Sequence, residues 1–302
     1  MKIIAVLGSS GSGKSALAHR IAMEQNCKIF SLDSLSIYKY LDIASAKPTL
    51  LEQSQVCYYA LNILEPHQKS NVMIFKDLLL QSIEDIKNNS PHTPLLIVGG
   101  SSFFLKSIME GLSPMPPLEE HEEWVKSLGN ISMQYAQLTQ IDKTYAQSLS
   151  PTDTYRICKA LALFKATNTP PSIYFATHKK ESLGYDIEIF CLECERDELR
   201  ERIAKRTKAM IQKGIVEEVQ NVLEAYGAQA PALNAIGAKE CVNFLQGKVA
   251  TLQQLEEQIF FHTCQLAKRQ RTFNRTQFAQ ITHLKEKALE AQLIQQIHNN
   301  IL

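Results

Sequence analysis

One segment near the start of the chain combines glycines, hydroxyls and a lysine at the spacing of a phosphate-binding loop. It satisfies the pattern G-x-x-x-x-G-K-[ST], and it stands between an apolar run and a helical pattern, where such a loop works. Its glycines let backbone N–H groups surround phosphate oxygens, and the helix N-terminus adds positive potential. We expect Lys14 to reach the terminal phosphates and the Ser15 hydroxyl to ligate Mg²⁺. The predicted phosphate-binding residues are Gly8, Ser9, Ser10, Gly11, Ser12, Gly13, Lys14 and Ser15.

A carboxylate that could work with this loop follows a second apolar run. The loop is typical of nucleotide-binding and ATP-binding proteins, and NTPases normally carry an acidic residue after a further strand. The apolar run 95–98 ends instead in Gly-Gly-Ser-Ser. Asp33 follows the run 28–32, at the sheet edge where α/β proteins bind ligands, and is the candidate catalytic base. Asp is also common in turns and helix N-caps, so a structural role stays open.

The elements that must position these residues indicate an α/β fold. Four apolar runs, each followed by helix-like sequence, predict parallel strands joined by crossover helices. These runs are 2–7, 28–32, 95–98 and 187–192. We predict a P-loop NTPase-like parallel sheet flanked by helices, formed by residues 1–114 together with residues 185–302.

Strand signals fade in the middle of the chain. Prolines interrupt the sequence between 114 and 117, and helical patterns follow at 119–128 and 152–166, which predicts a helical insertion domain at 115–184. Trp124 and its apolar neighbours fit the small core of that domain. Two further periodic segments, 197–226 and 252–274, predict long C-terminal helices.

Composition favours an ordinary soluble protein. The 302 residues are 45% hydrophobic and 21% charged, and no apolar run approaches the roughly 18 residues needed to span a membrane. The first residues lack a signal-peptide layout, so we expect a cytoplasmic monomer that contacts no membrane. Seven scattered cysteines favour reduced thiols. Cys191 and Cys194 form a C-x-x-C pair that we expect to point to opposite faces of a strand and to be structural.

Positive charge is concentrated in one place despite a net charge of only +1. Residues 268–275 carry four cationic side chains at the end of a predicted helix. They could contact RNA phosphates, with Arg271 or Phe273 stacking on an unpaired base. A solvated helix C-terminus, where cations offset the helix dipole, is the alternative.

Several further segments resemble tRNA dimethylallyltransferases, the IPP transferase family. Each segment alone is a weak signal, but their order and spacing together are specific, and they span most of the chain. In chain order they are 32–39 (LDSLSIYK), 42–48 (DIASAKP), 98–101 (VGGS), 110–116 (EGLSPMP), 153–161 (DTYRICKAL), 202–210 (RIAKRTKAM), 236–240 (IGAKE) and 266–270 (LAKRQ).

The resemblance implies an activity. The loop would hold the diphosphate of dimethylallyl diphosphate with Mg²⁺, Asp33 would be the base, and Ser101 would stand beside both. The dimethylallyl group would pass to N6 of adenosine 37, beside the tRNA anticodon, in tRNAs that read codons beginning with U. The products would be N6-dimethylallyladenosine and diphosphate.

The resemblance also implies contacts with the tRNA anticodon loop. The expected contact residues are Asp33, Ser34, Leu35, Ser36, Arg156, Lys159, Lys268, Arg269, Gln270, Arg271, Phe273 and Arg275. Three positions depart from the family pattern: Ser36 replaces Gln, Ser101 replaces Thr, and Lys159 replaces Arg. Arg156 and Lys159 could instead pair with nearby acids such as Asp153.

Two other functions remain open at this point. A small-molecule kinase shares the phosphate loop, and Arg202 and Arg206, four residues apart on a predicted helix, could imitate its arginine lid. The second alternative is an RNA-binding protein that is switched by a nucleotide and catalyses no modification of the RNA. The chain lacks the N-K-x-D sequence of guanine recognition, which counts against this alternative.

Overall fold

The computed structural model describes residues 1–178, 180 and 182–298 and shows an α/β fold around one six-stranded sheet. The strands are β1 (Ile3–Gly8), β2 (Lys28–Leu32), β3 (Tyr58–Tyr59), β4 (Leu95–Gly99), β5 (Glu188–Leu192) and β6 (Thr282–Leu284). Every pairing is parallel, in the order β3-β2-β4-β1-β5-β6. The predicted α/β class and parallel sheet are confirmed.

Helices connect and flank these strands. The α-helices are α1 (Lys14–Gln25), α2 (Asp42–Ser45), α3 (Leu50–Gln55), α4 (Val72–Asn89), α5 (Ser102–Glu110), α6 (Glu122–Ser127), α7 (Ile131–Ile141), α8 (Lys143–Gln147), α9 (Thr154–Thr167), α10 (Pro171–Thr177), α11 (Arg196–Gln212), α12 (Ile215–Tyr226), α13 (Ala238–Leu245), α14 (Leu252–Gln277) and α15 (Glu286–His298). Short 3₁₀ helices cover Glu119–His121 and Pro231–Asn234. Among the residues that the structure describes, no helix is long and apolar enough to cross a membrane.

The centre of the sheet explains why its strands read as continuous apolar runs. β1 lies between β4 and β5, and all six of its residues are buried because helices cover both faces. Leu17 and Ile21 of α1 pack into the same core as Leu289 and Leu293 of α15. The loop between β1 and α1 is therefore held at both ends by packed elements.

The two edge strands were not predicted, and one predicted helical segment is divided in the structure. The edge strands β3 and β6 have only two and three residues, which is too short for a periodic signal. The single long helix predicted at 197–226 is wrong, because α11 and α12 are separate. Gly214 lies between them with φ of 90°, a left-handed conformation that ends a helix.

The chain divides into two compact units. One comprises Met1–Ile108 with Gly184–Leu302, and the other comprises Met109–Leu183. The break follows Ile108, whereas the sequence prediction placed it after residue 114. The second unit is helical and has its own core, in which Trp124 packs beside Val125, Leu138 and Leu161. The predicted role of Trp124 is confirmed.

Candidate active site

The phosphate loop is shaped by backbone conformations that only glycine adopts easily. β1 ends at Gly8, and α1 begins at Lys14. Gly13, directly before α1, has φ of 95°, and a Cβ atom there would lie 2.7 Å from Nη1 of Arg202. Any side chain at position 13 would therefore be strained and would displace that arginine. The loop presents its backbone at the carboxyl end of β1, as the sequence predicted.

Two arginines of α11 brace this loop from outside. Nη1 of Arg202 donates to the Ser12 carbonyl at 2.8 Å, and Nη1 of Arg206 donates to Oγ of Ser10 at 3.4 Å. Burial lowers the pKa of Arg206, and the negative charge of Asp33 opposes that shift. Both arginines lie in the segment 202–210 that resembles the family, and their only individual role considered from the sequence was as an imitation of a kinase lid. In the structure, their four-residue spacing on one helix directs both toward the phosphate loop.

Lys14 is a buried cation with both a carboxylate and a second cation nearby. Burial lowers its pKa from 10.5 to about 8; nearby Asp33 opposes the shift, and Arg206 adds to it. Its Nζ donates to the Ser9 carbonyl at 3.4 Å. Two desolvated cations therefore lie close together beside one carboxylate, and an anion bound here would relieve their repulsion.

Asp33 combines a structural contact with an available oxygen. Its Oδ1 accepts hydrogen bonds from the backbone N–H groups of Leu35 at 2.8 Å and Ser36 at 3.2 Å. These bonds stabilise a turn, which is the structural role of Asp33 that the sequence left open as an alternative. Within the described residues, Oδ2 accepts no hydrogen bond, and Asp33 lines the same cavity as Lys14. The structural contact therefore leaves one carboxylate oxygen available for chemistry.

The cavity has a volume of about 380 Å³ and joins the phosphate loop to Asp33. The predicted residues that line it are Ser10, Gly11, Gly13, Lys14, Ser15, Asp33, Ser36 and Gln270. Ser31, Ala46, Pro48, Tyr58 and Leu266 also line it, so its wall is partly apolar. Anionic and apolar parts of one ligand could both be accommodated.

Some predicted residues lie near this cavity without lining it. Ser12 is buried, and Oγ of Ser9 donates to the Ala267 carbonyl at 3.1 Å; both line a smaller cavity on the other side of the loop. Ser34 is exposed and Leu35 is buried, so neither presents a side chain to the cavity beside Asp33 and Ser36. The Leu35 side chain belongs to the core, and its predicted contact with tRNA stays a prediction.

Ser101 lies at the end of β4, next to the strand that carries Asp33. Its N–H donates to the Leu32 carbonyl at 3.3 Å, and its own carbonyl accepts from Phe104 at the start of α5. The strands approach closely here, since a Cβ atom on Gly99 would lie 1.9 Å from the Leu32 carbonyl oxygen. Gly99 and Gly100 line the cavity, whereas Ser101 does not. Its catalytic role stays a prediction.

Gln270 was predicted with the exposed basic residues, but its side chain points into the molecule. Its Oε1 accepts from the N–H of Ser10 at 2.8 Å, and its Nε2 donates to the Gly100 carbonyl at 3.0 Å. The amide therefore links the phosphate loop to the end of β4, and the tRNA contact of Gln270 stays a prediction. No local sequence signal connects residue 270 with residue 10.

Lys47 is a further cavity residue that sequence reasoning did not single out. Its side chain is only 2% exposed and donates to the Tyr38 carbonyl, to Oδ1 of Asp42 and to Oδ1 of Asn62, at 2.6 to 2.7 Å. These bonds tie the loop after α2 to the segment after Asp33. Lys47 lay inside a segment quoted for the family resemblance, which was the available signal.

The basic residues of α14 differ in exposure and in whether an acidic side chain pairs with them. Lys268 and Arg269 are exposed, and together with Phe273 they line an open groove of about 550 Å³. Arg271 is half-buried, while Arg275 donates to Glu193 at 2.9 Å. The helix itself confirms the prediction of a helical basic segment. Its contact with RNA stays a prediction.

The two predicted RNA contacts of the second unit lie on α9. Nε of Arg156 is 3.5 Å from Asp153, the pairing that the sequence offered as an alternative, and its side chain remains 62% exposed. Nζ of Lys159 lies 5.2 Å from the centre of the Tyr155 ring. Exposed pairs of this kind are weak, so both cations stay available to a polyanion.

The C-x-x-C pair does not behave as predicted. Cys191 and Cys194 line one small cavity, because β5 ends at Leu192 and the chain turns before α11. The expectation of opposite faces is therefore wrong. Both thiols are free, and burial raises the pKa of each. The prediction of reduced, structural cysteines agrees with this.

Fold and site together define an α/β protein in which a glycine-rich loop after β1 shares a cavity with the carboxylate of Asp33. The model of the IPP transferase family matches residues 36–277. The chain belongs to that family of transferases, as the sequence resemblance predicted.

The comparisons with individual proteins agree. The chain is 48% identical to a tRNA dimethylallyltransferase of Helicobacter pylori strain J99 over 280 residues, covering 92% of this chain and 88% of the relative. It is 41% identical to the tRNA dimethylallyltransferase of Wolinella succinogenes, with 96% of both chains covered. These names agree with the predicted family and not with the kinase alternative.

Solved structures show the same fold. The tRNA isopentenylpyrophosphate transferase of Bacillus halodurans superposes with a TM-score of 0.70 at 23% identity, covering 99% of this chain and 97% of that one. A eukaryotic dimethylallyltransferase acting on tRNA superposes with a TM-score of 0.79 at 22% identity, covering 95% and 74%.

Proposed function

We propose that this protein transfers the dimethylallyl group of dimethylallyl diphosphate to N6 of adenosine 37 in tRNAs that read codons beginning with U. The observation that carries the proposal is the shared cavity, which is lined both by the phosphate loop and by Asp33. We propose that the protein acts as a monomer. Because the proposed substrate is tRNA, we assign the reaction to the cytoplasm.

The phosphate end of the cavity fits a diphosphate. Lys14 and Arg206 are both desolvated, and Arg202 holds the loop backbone that would surround the phosphate oxygens. Desolvated cations act strongly on charge that develops during a reaction, because no water screens them. They would stabilise the negative charge that builds on the departing diphosphate.

The residues present also fit a magnesium ion. No group of three or more His, Cys, Asp or Glu side chains in the described residues could hold a metal, but Mg²⁺ beside a diphosphate needs few protein ligands. The Ser15 hydroxyl lines the cavity and forms no hydrogen bond within the described chain. We propose that Ser15 binds the ion, with Asp33 nearby. When bound, the ion would supply positive charge to the leaving diphosphate.

The acceptor end requires a base. The adenine amine is a poor nucleophile because its lone pair is delocalised into the ring. In the proposed step, a bond forms between N6 and the allylic carbon, and the bond from that carbon to the diphosphate oxygen breaks. The free oxygen of Asp33 takes the proton that N6 loses. The diphosphate departs with the electron pair of the broken bond.

The acceptor must be able to leave its stack. An unpaired loop nucleotide enters a cavity at lower cost than a base within a duplex. The exposed cations Lys268 and Arg269 on α14 would bind the phosphates that flank it. Arg156 and Lys159 of the second unit are proposed as further phosphate contacts.

The experiment that tests the function is a product analysis. The purified protein is incubated with magnesium, dimethylallyl diphosphate and unmodified tRNA, and the RNA is digested to nucleosides for mass spectrometry. We expect an adenosine heavier by one five-carbon unit. A tRNA with guanosine at position 37 is the matched control and should gain no mass.

The other functional classes make different predictions. A small-molecule kinase would leave the RNA unchanged and consume ATP with a small acceptor. A nucleotide-switched binding protein would hydrolyse GTP slowly and give no modified nucleoside. Either result, with no five-carbon gain, would refute the proposed transfer.

A further inference from the structure

A second groove lies on the surface between α11 and α14, apart from the cavity that holds Asp33. Its volume is about 240 Å³, and its apolar floor is formed by Leu199, Ile203 and Ala267, which belong to one buried cluster. We call it the α11–α14 groove. Because its floor is packed core, the groove is a fixed feature of the fold.

Four cations line this groove. Arg196 and Arg200 come from α11, and Lys268 and Arg271 come from α14. No carboxylate lines the groove, and none of the four forms an ion pair with an acidic side chain in the described residues. Their neighbours Arg202 and Arg275, by contrast, pair with Glu198 and Glu193. The groove therefore concentrates uncompensated positive charge, which attracts a polyanion.

An aromatic side chain accompanies these charges. Phe261 lines the groove and is 58% exposed, an unusual state for a large apolar residue. The guanidinium of Arg200 lies 5.3 Å from the centre of the adjacent Phe260 ring, which holds its charge at the groove. Exposed aromatic rings set among cations are typical of surfaces that bind single-stranded or looped RNA.

The groove continues into the surface already proposed to bind RNA. Lys268 lines both the α11–α14 groove and the neighbouring open groove that contains Arg269 and Phe273. The two grooves thus share one wall and form a single basic strip along α14. No carboxylate of the described residues lines either groove, so a strand of RNA could occupy both.

We propose that the α11–α14 groove is a second tRNA-binding site, in which Arg196 and Arg200 bind backbone phosphates beyond the nucleotide that enters the cavity. Phe261 contacts a base or a ribose of the same strand. The identity of the polyanion rests on the proposed function. The groove adds affinity and takes no part in the chemical step.

The test compares two double variants on one helix. Arg196→Gln with Arg200→Gln removes two groove cations. Lys205→Gln with Lys208→Gln removes two exposed cations of α11 that line neither groove, so it changes the net charge equally. Binding of unmodified tRNA is measured against salt concentration for both variants and for the unaltered protein.

We expect the groove variant to bind tRNA several-fold more weakly at low salt, with a log–log salt slope shallower by about 1.5 to 2. The Lys205 and Lys208 variant should retain the original slope. Arg196→Gln alone, which leaves the Arg200 contact with Phe260 intact, should lower the slope by about half as much. Melting temperatures of all variants identify any loss of folding.

The outcomes separate this proposal from the proposed function. If the groove variant and its control give the same salt slope, the groove does not bind tRNA, whether or not the unaltered protein prenylates it. If tRNA binding weakens as expected but no prenylated adenosine forms, the groove is an RNA site and the proposed reaction fails instead.

Discussion

Two sets of cations distinguish the interior of this protein from its surface. In the cavity, Lys14 and Arg206 are desolvated, and hydrogen bonds hold them against the phosphate loop. On α14, Lys268 and Arg269 are exposed and have no carboxylate partner in the described residues. Burial makes a charge strong and fixed in place, whereas exposure leaves it screened by salt. Changes inside should therefore affect the reaction, and changes outside should affect RNA affinity.

The largest effect is expected at Asp33. Asp33→Asn keeps an oxygen that can accept from Leu35 and Ser36, so the turn should survive while the base is lost. Turnover should fall by about 10² to 10⁴, with tRNA affinity retained. Single-turnover transfer rates and tRNA binding are the measurements. If Asp33→Asn keeps full turnover, Asp33 has only its structural role. The expectation that changes inside the cavity affect the reaction would then fail for this residue.

A smaller effect is expected from pH, through Lys14. Burial lowers its pKa to about 8, so the free protein loses this charge as pH rises through that value. Only the protonated amine attracts a diphosphate. The kcat/KM for the donor should therefore be nearly constant below pH 8 and should fall toward tenfold per pH unit above it.

The exposed cations supply the control for that experiment. The affinity for tRNA, measured over the same range from about pH 7 to about pH 9.5, should change little, because Lys14 lies in the cavity and not on the basic surface of α14. A donor kcat/KM that stays flat across this range would show that Lys14 is not the titrating group.

The smallest effect is expected on the surface. Arg269→Gln with Arg271→Gln should weaken tRNA binding several-fold and make the salt slope shallower by about 1.5 to 2. The matched control is Lys205→Gln with Lys208→Gln, which alters the same charge elsewhere. An unchanged salt slope in the arginine variant would show that the basic strip of α14 does not bind RNA.

The sequence predicted features that depend on neighbouring residues. The phosphate loop could be read directly because its glycines, Lys14 and Ser15 are consecutive, and the apolar runs of β1, β2, β4 and β5 are continuous. Asp33 was found because it directly follows a strand. The ordered family segments identified the family without any knowledge of contacts.

The limits of that prediction have a common cause. β3 and β6 are too short to show a period, and α11 and α12 share one apolar periodicity across the left-handed Gly214. Leu35 was itself an expected contact residue, but its side chain is buried in the core. Where a pattern continues while the chain turns, sequence alone cannot say which side a residue faces.

The fold class, the phosphate loop, the candidate base and the family could therefore all be predicted from the amino-acid sequence. The distant residues that complete the site are known only from the packing of the folded chain. Arg206 and Gln270 both reach Ser10 across the fold, and the α11–α14 groove exists only because two helices pack side by side. A hydrogen bond forms only when its atoms come within about 3 Å. The packing of α11 and α14 sets that distance, and no local pattern of residues encodes it.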